Sequence, residues 1–270
     1  MIPATGLPQI VDTHVHLDEP AFDLDRDTVL DEARSLGVRR FINIAYKPER
    51  WESSRAIQLV NKDVAVAIGL HPAESATLDP ETERSLVRAI EECQPVAIGE
   101  TGFDFARTGP TFLEQARAFR TQIEISSSRS LPIIIHQRNA SDALMKDLDE
   151  WPDVADIVLH SFDGTALLTG WAVERGCYIG IGGLATRPGS VALRNLLRSI
   201  PVDRLLLETD APYLSPPQCH RRNTPANLPQ ISQLLAPIWG MTATDLRRVT
   251  TENANSLFKL GLAAELEIRA

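Results

Sequence analysis

The sequence has 270 residues, of which 43% are hydrophobic and 23% are charged, and its formal net charge is −9. This composition is typical of a globular protein, and no run approaches the roughly 18 apolar residues that a membrane helix needs. The first residues form neither a basic nor an apolar segment, so we expect no export signal. An acidic chain also disfavours a broad surface for polyanions, because such binding depends on contacts of lysine and arginine with phosphate.

The cysteines indicate a reducing compartment. Cys93, Cys177 and Cys219 are odd in number, widely spaced and outside any zinc-type motif. Such thiols are typical of the cytoplasm, where disulfides are rare. The sequence therefore predicts a cytoplasmic protein with no membrane segment.

Short apolar runs alternate with segments of helical spacing along the chain. The predicted strands are residues 10–17, 40–46, 64–70, 96–100, 131–136, 156–160, 177–181 and 204–210. The predicted helices are residues 28–36, 48–61, 80–93, 112–128, 141–150, 165–175, 191–199, 225–239 and 243–258. In the second helix, Trp51, Ile57 and Val60 have the spacing of one apolar face.

Eight strands that alternate with helices predict an α/β fold. Most of the strands are continuous Val, Ile and Leu runs, which suit parallel strands covered by helices. Eight such units in about 250 residues favour a (β/α)8 TIM barrel. A doubly wound open sheet is the alternative, because periodicity does not show closure. We find no linker or internal repeat, so we expect a single domain over residues 1–270.

Polar residues collect where the predicted strands end. They are His14 and His16 after the first strand, His71 after the third, Glu100 after the fourth, His136 after the fifth, His160 after the sixth and Asp210 after the eighth. In a barrel these ends share one face, which carries the active site. Isolated core histidines are the alternative interpretation, but five of the six histidines would not be expected to gather in this way.

This set offers nitrogen and oxygen ligands and no thiolate. Such ligands suit zinc, manganese, nickel or magnesium. With His71 set apart, the four other histidines and the two carboxylates make six ligands, which exceed the three that a catalytic zinc commonly takes and suit two divalent ions about 3.5–4 Å apart. Glu100 could bridge the two ions. Four positive charges from two ions would also offset part of the acidic balance where a substrate binds.

Other polar residues leave their roles open. His71 could contact substrate, support a ligand or be hydrogen-bonded in a loop. Glu208 could support Asp210 or be a buried, paired carboxylate. Arg221 and Arg222 could hold a phosphate, although loop arginines are often solvated. His220 is more simply an exposed loop histidine.

Spaced motifs extend across almost the whole chain: Asp-Thr-His-Val-His-Leu at 12–17, Gly-Leu-His-Pro at 69–72, Gly-Glu-Thr-Gly-Phe-Asp at 99–104, Pro-Ile-Ile-Ile-His-Gln-Arg at 132–138, His-Ser-Phe-Asp-Gly at 160–164, Glu-Thr-Asp-Ala-Pro-Tyr-Leu at 208–214, Arg-Asn-Thr-Pro at 222–225 and Thr-Glu-Asn-Ala at 251–254. Taken together, these motifs resemble the TatD family of metal-dependent hydrolases. The sequence departs from the usual family residues at Thr101, Phe103, Phe105 and Asn139.

The resemblance implies a barrel with two divalent ions and a deoxyribonuclease that trims single-stranded DNA from its 3′ end. It implies one ion held by His14, His16, Glu100 and Asp210, and a second ion held by Glu100, His136 and His160. The expected partner is therefore a DNA end, and no obligate protein partner is evident.

The expected reaction is hydrolysis of a phosphodiester by a metal-activated hydroxide. Asp210 is the candidate proton acceptor and Glu100 the second catalytic candidate. Candidate substrate contacts are His71, Asp104, Arg138 and Arg222. A hydrolase of another ester or of an amide is the main alternative, and a non-catalytic binding module is the third.

Overall fold

A computed structural model describes residues 9–154, 156–217, 219 and 222–262. Eight strands and ten α-helices are found in this part of the chain. The strands are β1 (Ile10–Val15), β2 (Val38–Ala45), β3 (Val64–Ile68), β4 (Ala97–Asp104), β5 (Ile133–Arg138), β6 (Ile157–Leu159), β7 (Tyr178–Ile181) and β8 (Leu205–Leu207). The helices are α1 (Arg26–Ser35), α2 (Pro48–Val60), α3 (Pro80–Cys93), α4 (Phe112–Arg129), α5 (Ser141–Asp149), α6 (Ala166–Glu174), α7 (Gly183–Thr186), α8 (Val191–Leu197), α9 (Leu228–Leu235) and α10 (Ala243–Phe258).

The strands form one parallel sheet in the order β1 to β8, with each strand beside its neighbour in sequence. The sheet closes where β1 meets the segment after β8. Val15 pairs in parallel with Ala211, the amide of His16 donates to the carbonyl of Ala211 at 2.8 Å, and the amide of Asp210 donates to the carbonyl of His14 at 2.9 Å. This closure confirms the predicted TIM barrel and rules out the open sheet.

One core cluster fills the barrel interior. It combines side chains of seven strands with three residues from the last turns of α10: Val11, Ile42, Ile44, Ala67, Ala97, Ile134, Val158, Leu206, Ala254, Leu257 and Phe258. Side chains from so many strands meet only inside a barrel, so α10 seals one end of it. The carboxyl ends of the strands lie at the opposite end, which is where the candidate site is found.

The larger core cluster lies between the barrel and its outer helices. Its biggest fully buried side chains include Phe22, Phe41, Phe103 and Phe119. Helix α4 begins with a capping box, in which Thr111 and Glu114 bond each other's backbone amides. This cap fixes the start of the helix that packs against β4.

Three details differ from the sequence-based expectations. Val60 of α2 is 79% exposed, and Ser54 is buried on that helix instead. The predicted helix at 225–239 is split into α9 between two 3₁₀ turns, since Pro237 has no amide proton with which to continue an α-helix. The short helix α7 was not predicted from the sequence. Within the described part of the chain, no helix has both the length and the hydropathy that crossing a membrane requires.

Candidate metal centre

A bulge in β1 sets the positions of His14 and His16. Asp12 pairs with Phe41 and Val15 pairs with Asn43, so β1 contains one residue more than β2 over this stretch. An extra residue reverses the alternation of side chains that follows it. Val11 faces the barrel interior, and after the bulge His14 and His16 face it too. Both rings are buried, with their centroids 5.0 Å apart.

A second bulge, in β4, brings Glu100 inward. Gly99 pairs with Ile134 and Thr101 with Ile135, so Glu100 is the inserted residue. An added Cβ at Gly99 would lie 2.4 Å from the carbonyl oxygen of Ile134, and Gly99 has a φ of +133°. Only glycine fits this close approach, so the Gly-Glu pair is one structural unit.

The two carboxylate oxygens of Glu100 face two different groups of side chains. Oε2 lies 3.5 Å from Nε2 of His14. Oε1 lies 2.6 Å from Nδ1 of His136 and 2.7 Å from Nε2 of His160. Glu100 thus lies between one group on the β1 side of the barrel and another on the β5 and β6 side.

Asp210 completes the group on the β1 side. Its Oδ1 lies 3.2 Å from Nε2 of His16 and 3.8 Å from Nε2 of His14. Asp210 has a φ of 56°, a left-handed conformation that is uncommon outside glycine and is often found at functional sites. The closure of the barrel at His14 therefore also holds the Asp210 carboxylate in place.

His136 and His160 form the other group with Glu100. Nε2 of His160 and Nδ1 of His136 are 3.4 Å apart. The His160 ring also stacks on His14, with centroids 3.9 Å apart. The structure therefore brings all six candidate ligands together at one end of the barrel.

These side chains fit divalent cations. Both ring nitrogens of His14 are buried and have no hydrogen-bond partner within the described chain. An unsatisfied buried polar atom is costly unless a ligand or ion satisfies it. Two ligand atoms that share an ion at about 2.1 Å lie about 3.0–3.4 Å apart, which is close to several of the distances above. Burial and then the nearby His160 lower the pKa of His14, so its ring is neutral, the form that binds metals.

The carboxylates dominate the electrostatics of the centre. Burial disfavours a charge on Glu100, but His160 and the bond with His136 hold the pKa of Glu100 well below its usual value. Burial also disfavours a charge on His16, but Asp210 outweighs it and raises the pKa of His16 to about 9. Carboxylates that attract protons to neighbouring imidazoles attract metal cations as well, and the two compete.

Two further carboxylates lie behind the candidate ligands, and of these two only that of Asp104 is within hydrogen-bond distance of a ligand ring. Asp104 Oδ2 lies 3.3 Å from Nε2 of His136, and Asp104 is 3% exposed and does not line the pocket. Glu208 accepts a hydrogen bond from the amide of Ser161 at 2.6 Å and lies 3.8 Å from Nδ1 of His160. Such supporting groups orient ligand rings and make them more basic. Asp104 is therefore placed as a support for His136 and not as the substrate contact that the sequence suggested.

Asp12 ties β1 to the chain that follows β8. Its two carboxylate oxygens accept hydrogen bonds from the amide of Thr209 at 2.9 Å and from the hydroxyl of Thr209 at 2.6 Å. Burial raises the pKa of Asp12 to about 7, although the bonds with Thr209 oppose this rise. This clamp fixes β1, which carries His14, to the segment after β8, which carries Asp210.

The centre lies at the bottom of a pocket of about 540 Å³. Arg107, Arg138 and Arg187 line the pocket together with Tyr46 and Tyr213. Of these, the sequence predicted only Arg138. Each of the others lies in a loop or at a strand end, where no periodic pattern distinguishes a lining residue.

Arg222 lies away from this pocket. Its guanidinium pairs with the carboxylate of Asp25 and lies over the ring of Phe22, 4.6 Å from the centroid. The structure therefore does not bring Arg222 to the other candidates. The suggested roles of His220 and Arg221 fall outside the described residues.

Comparison with known proteins agrees with this arrangement. Residues 11–259 match the family model described as TatD related DNase. The chain belongs to this family. It is 35% identical over 258 residues to the 3′-5′ ssDNA/RNA exonuclease TatD of Salmonella typhimurium, a match that covers 92% of this chain and 98% of the relative.

Two further relatives support the same family membership. The chain is 30% identical to the metal-dependent hydrolase YabD of Bacillus subtilis, with 93% of this chain and 99% of that protein covered. The crystal structure of YJJV, a TatD homolog from Escherichia coli, aligns with a TM-score of 0.88 at 28% identity and covers 94% of this chain and 99% of its own. These matches confirm the resemblance, the barrel and the expected enzyme class, a metal-dependent hydrolase of the TatD type that acts on ester bonds.

Proposed function

We propose that this TatD-type hydrolase is a 3′-5′ exonuclease that removes nucleotides from single-stranded DNA ends with the help of two divalent cations. The observation that carries the proposal is the position of Glu100, whose two oxygens face separate groups of histidines. A carboxylate shared in this way suits two ions about 3.5–4 Å apart, the arrangement used for phosphodiester cleavage.

In the proposed centre, Glu100 would contribute to both ion sites, together with His14, His16 and Asp210 for one ion and with His136 and His160 for the other. When bound, the ions lower the pKa of water and neutralise negative charge on phosphate. Asp210 orients the attacking water and accepts its proton, since its carboxylate is anchored beside His16 at the pocket floor. Zinc, manganese, nickel and magnesium are the candidate ions.

A strand end, and not a long duplex, is the expected substrate. A pocket of about 540 Å³ has the size of a small-ligand site. The net charge of −9 disfavours an extended surface of positive charge that could bind a long polyanion. Three arginines at the pocket can contact phosphates near the scissile bond. Tyr213 lines the same pocket and is 48% exposed, so its ring can stack on a base.

The test is a time course with 5′-labelled single-stranded DNA, the matching duplex and covalently circular single-stranded DNA, each with Mg²⁺, Mn²⁺, Zn²⁺ or Ni²⁺. We expect single-nucleotide shortening of the linear single strand from its 3′ end, slower action on the duplex and no cutting of the circle. The Glu100→Gln variant serves as the catalytic control, because it removes the shared charge with little change in size.

The other outcomes are informative. Efficient cutting of the circle would overturn the end-specific proposal. Cleavage of an aminoacyl ester or another small ester, with no cleavage of any nucleic acid, would favour the alternative hydrolase. Equal activity on single-stranded RNA would widen the substrate class, as the name of the Salmonella relative suggests. We also propose that the enzyme acts in the cytoplasm, which the buried thiols of Cys93 and Cys177 support.

A further inference from the structure

One ring nitrogen of His71 accepts a hydrogen bond from the backbone. The amide of Ala73 donates a hydrogen bond to Nδ1 of His71 at 3.0 Å. A neutral imidazole has one accepting nitrogen and one that carries a proton. Because Nδ1 accepts here, the proton must be on Nε2, and the tautomer of His71 is fixed by the fold.

The backbone around His71 holds this arrangement rigidly. His71 precedes the 3₁₀ turn Pro72–Thr77 and caps it through the amide of Ala73. The amide of His71 donates to the carbonyl of Tyr46 at 2.9 Å, and its carbonyl accepts from the amide of Glu74 at 2.8 Å. Inside the turn, the hydroxyl of Ser75 donates to the carbonyl of Pro72 at 2.8 Å. The ring therefore has little freedom to turn and exchange the roles of its nitrogens.

The Nε2–H group faces the metal centre without joining it. His71 lines the pocket, and its Nε2 lies 3.7 Å from Oε1 of Glu100, beyond a normal hydrogen bond. Its ring meets His136 edge-on, with centroids 4.4 Å apart. By distance alone, His71, Glu100 and His136 form a trio that could hold an ion. A nitrogen that carries a proton has no lone pair for a metal, so the tautomer argues against ligation by His71.

We propose that His71 is a catalytic residue whose Nε2–H donates a hydrogen bond to a non-bridging oxygen of the scissile phosphate. This inference rests on the proposed phosphodiesterase function and adds a neutral donor to it. A fixed donor directed at the oxygens on which charge develops stabilises the transition state without reorganising. Its position at the pocket floor, beside the oxygen of Glu100 that faces His136 and His160, places it next to the proposed reaction centre.

The variant His71→Asn separates this role from the alternatives. Asparagine is a good capping residue, and its side-chain oxygen can accept the hydrogen bond from Ala73 that the ring now accepts. It is too short to place a donor where Nε2 lies. The variant therefore keeps the turn and removes only the donor.

We expect kcat of His71→Asn on single-stranded DNA to fall about 10²- to 10³-fold, the usual loss for a transition-state hydrogen-bond donor. KM should change by less than about threefold, and equilibrium dialysis should show unchanged binding of Mn²⁺. Loss of one bound Mn²⁺ per chain would show that His71 is a ligand and overturn the proposal. Unchanged kcat would overturn it as well.

A second measurement does not depend on activity. In protein labelled with ¹⁵N only in its six histidines, long-range ¹H–¹⁵N correlation distinguishes protonated from unprotonated ring nitrogens, and His71→Asn assigns the signal. A proton on Nε2 and none on Nδ1 is the expected result, with and without diamagnetic Zn²⁺, and the opposite tautomer would overturn the proposal. If the wild type cleaves no phosphodiester, the proposed function and the proposed phosphate contact are both wrong. The assignment of the His71 tautomer is tested by this spectrum independently of activity.

Discussion

The Nε2 atom of His136 lies 3.3 Å from a carboxylate oxygen of Asp104, on the opposite side of the ring from Glu100. This geometry fixes a proton on Nε2 and leaves Nδ1 free to bind a cation. Asp104 is itself held by its neighbours, since its amide donates a hydrogen bond to Oε1 of Gln115 at 2.9 Å and its Oδ1 accepts one from the amide of Ala106 at 2.9 Å. The pair is thus a carboxylate–histidine unit of the kind that tunes metal sites.

The variant Asp104→Asn tests this unit. We expect Mn²⁺ affinity to fall about 10- to 100-fold, because the amide cannot support the His136 ring as a charged acceptor does. Activity should recover at saturating metal. Equilibrium dialysis and the metal dependence of kcat measure the two effects. Asp149→Asn is the matched control, because this carboxylate accepts a hydrogen bond from Nε1 of Trp171 at 2.9 Å and does not line the pocket. Equal affinities for Asp104→Asn and the wild type would contradict the assignment.

The variant Asp210→Asn separates chemistry from folding. Asparagine keeps the size of the side chain and an oxygen near His16, but it loses the charge and cannot accept a proton from water. We expect kcat to fall about 10²-fold or more, the scale of general-base catalysis, with a nearly unchanged melting temperature. The metal content of the variant must be measured in the same preparation. Activity within a fewfold of the wild type would show that Asp210 is not the proton acceptor.

Most of the barrel could be predicted from the sequence, because continuous apolar runs of strand length alternate with amphipathic helices along the chain. The histidine cluster could also be predicted, since strand ends meet at one face of a barrel. The reason that the ligands face the barrel interior could not be predicted. His14 and Glu100 face the interior only because β1 and β4 each carry a bulge, and a strict period of two does not show an inserted residue.

Other residues could not be placed because their partners are distant in sequence. Arg222 pairs with Asp25, which is 197 positions away, so its sequence context suggested a phosphate contact that the structure does not bring about. The sequence left three roles open for His71. In the structure, its bond with the Ala73 amide is the observation that favours a hydrogen-bond donor over a metal ligand. Val60 followed the helical period of α2, but it is the last residue of that helix and is 79% exposed.

Metal removal gives the most direct test of the enzyme class. Exhaustive chelation should abolish hydrolysis, and added Mn²⁺ or Zn²⁺ should restore it. The metal-free protein should also melt at a lower temperature, because ions that bind only the folded chain stabilise it by RT ln(1 + [ion]/Kd). The control is the His136→Ala variant, whose melting temperature should respond less to added metal. Full turnover by protein that elemental analysis shows to be free of metal would contradict the prediction.

Alkaline pH should destabilise the fold through Cys177. Burial raises the pKa of this thiol from 9.0 to about 12. Between those values the unfolded chain loses the proton and the folded chain keeps it, so the free energy of unfolding decreases as pH rises, by up to about 1.4 kcal/mol per pH unit for this one group. Urea denaturation of the wild type and of Cys177→Ala between pH 8 and 11 isolates the contribution of this thiol to the pH dependence of the free energy of unfolding. The two slopes should agree below pH 9 and differ above it, and parallel slopes throughout would contradict the assignment.

Salt dependence should show how few phosphates the enzyme contacts. Three arginines line the pocket, and each contact with a single strand contributes about −0.7 to the slope of log affinity against log salt, so we expect a slope of about −2 for kcat/KM. An extended interface would give about −10. Arg138→Gln should make the slope shallower by about 0.7 and weaken cleavage similarly for all sequences. Arg88→Gln, on the exposed side of α3 and outside the pocket, is the matched control and should change neither. A wild-type slope steeper than about −6 would show a long nucleic-acid track and contradict an enzyme that holds only the end of a strand.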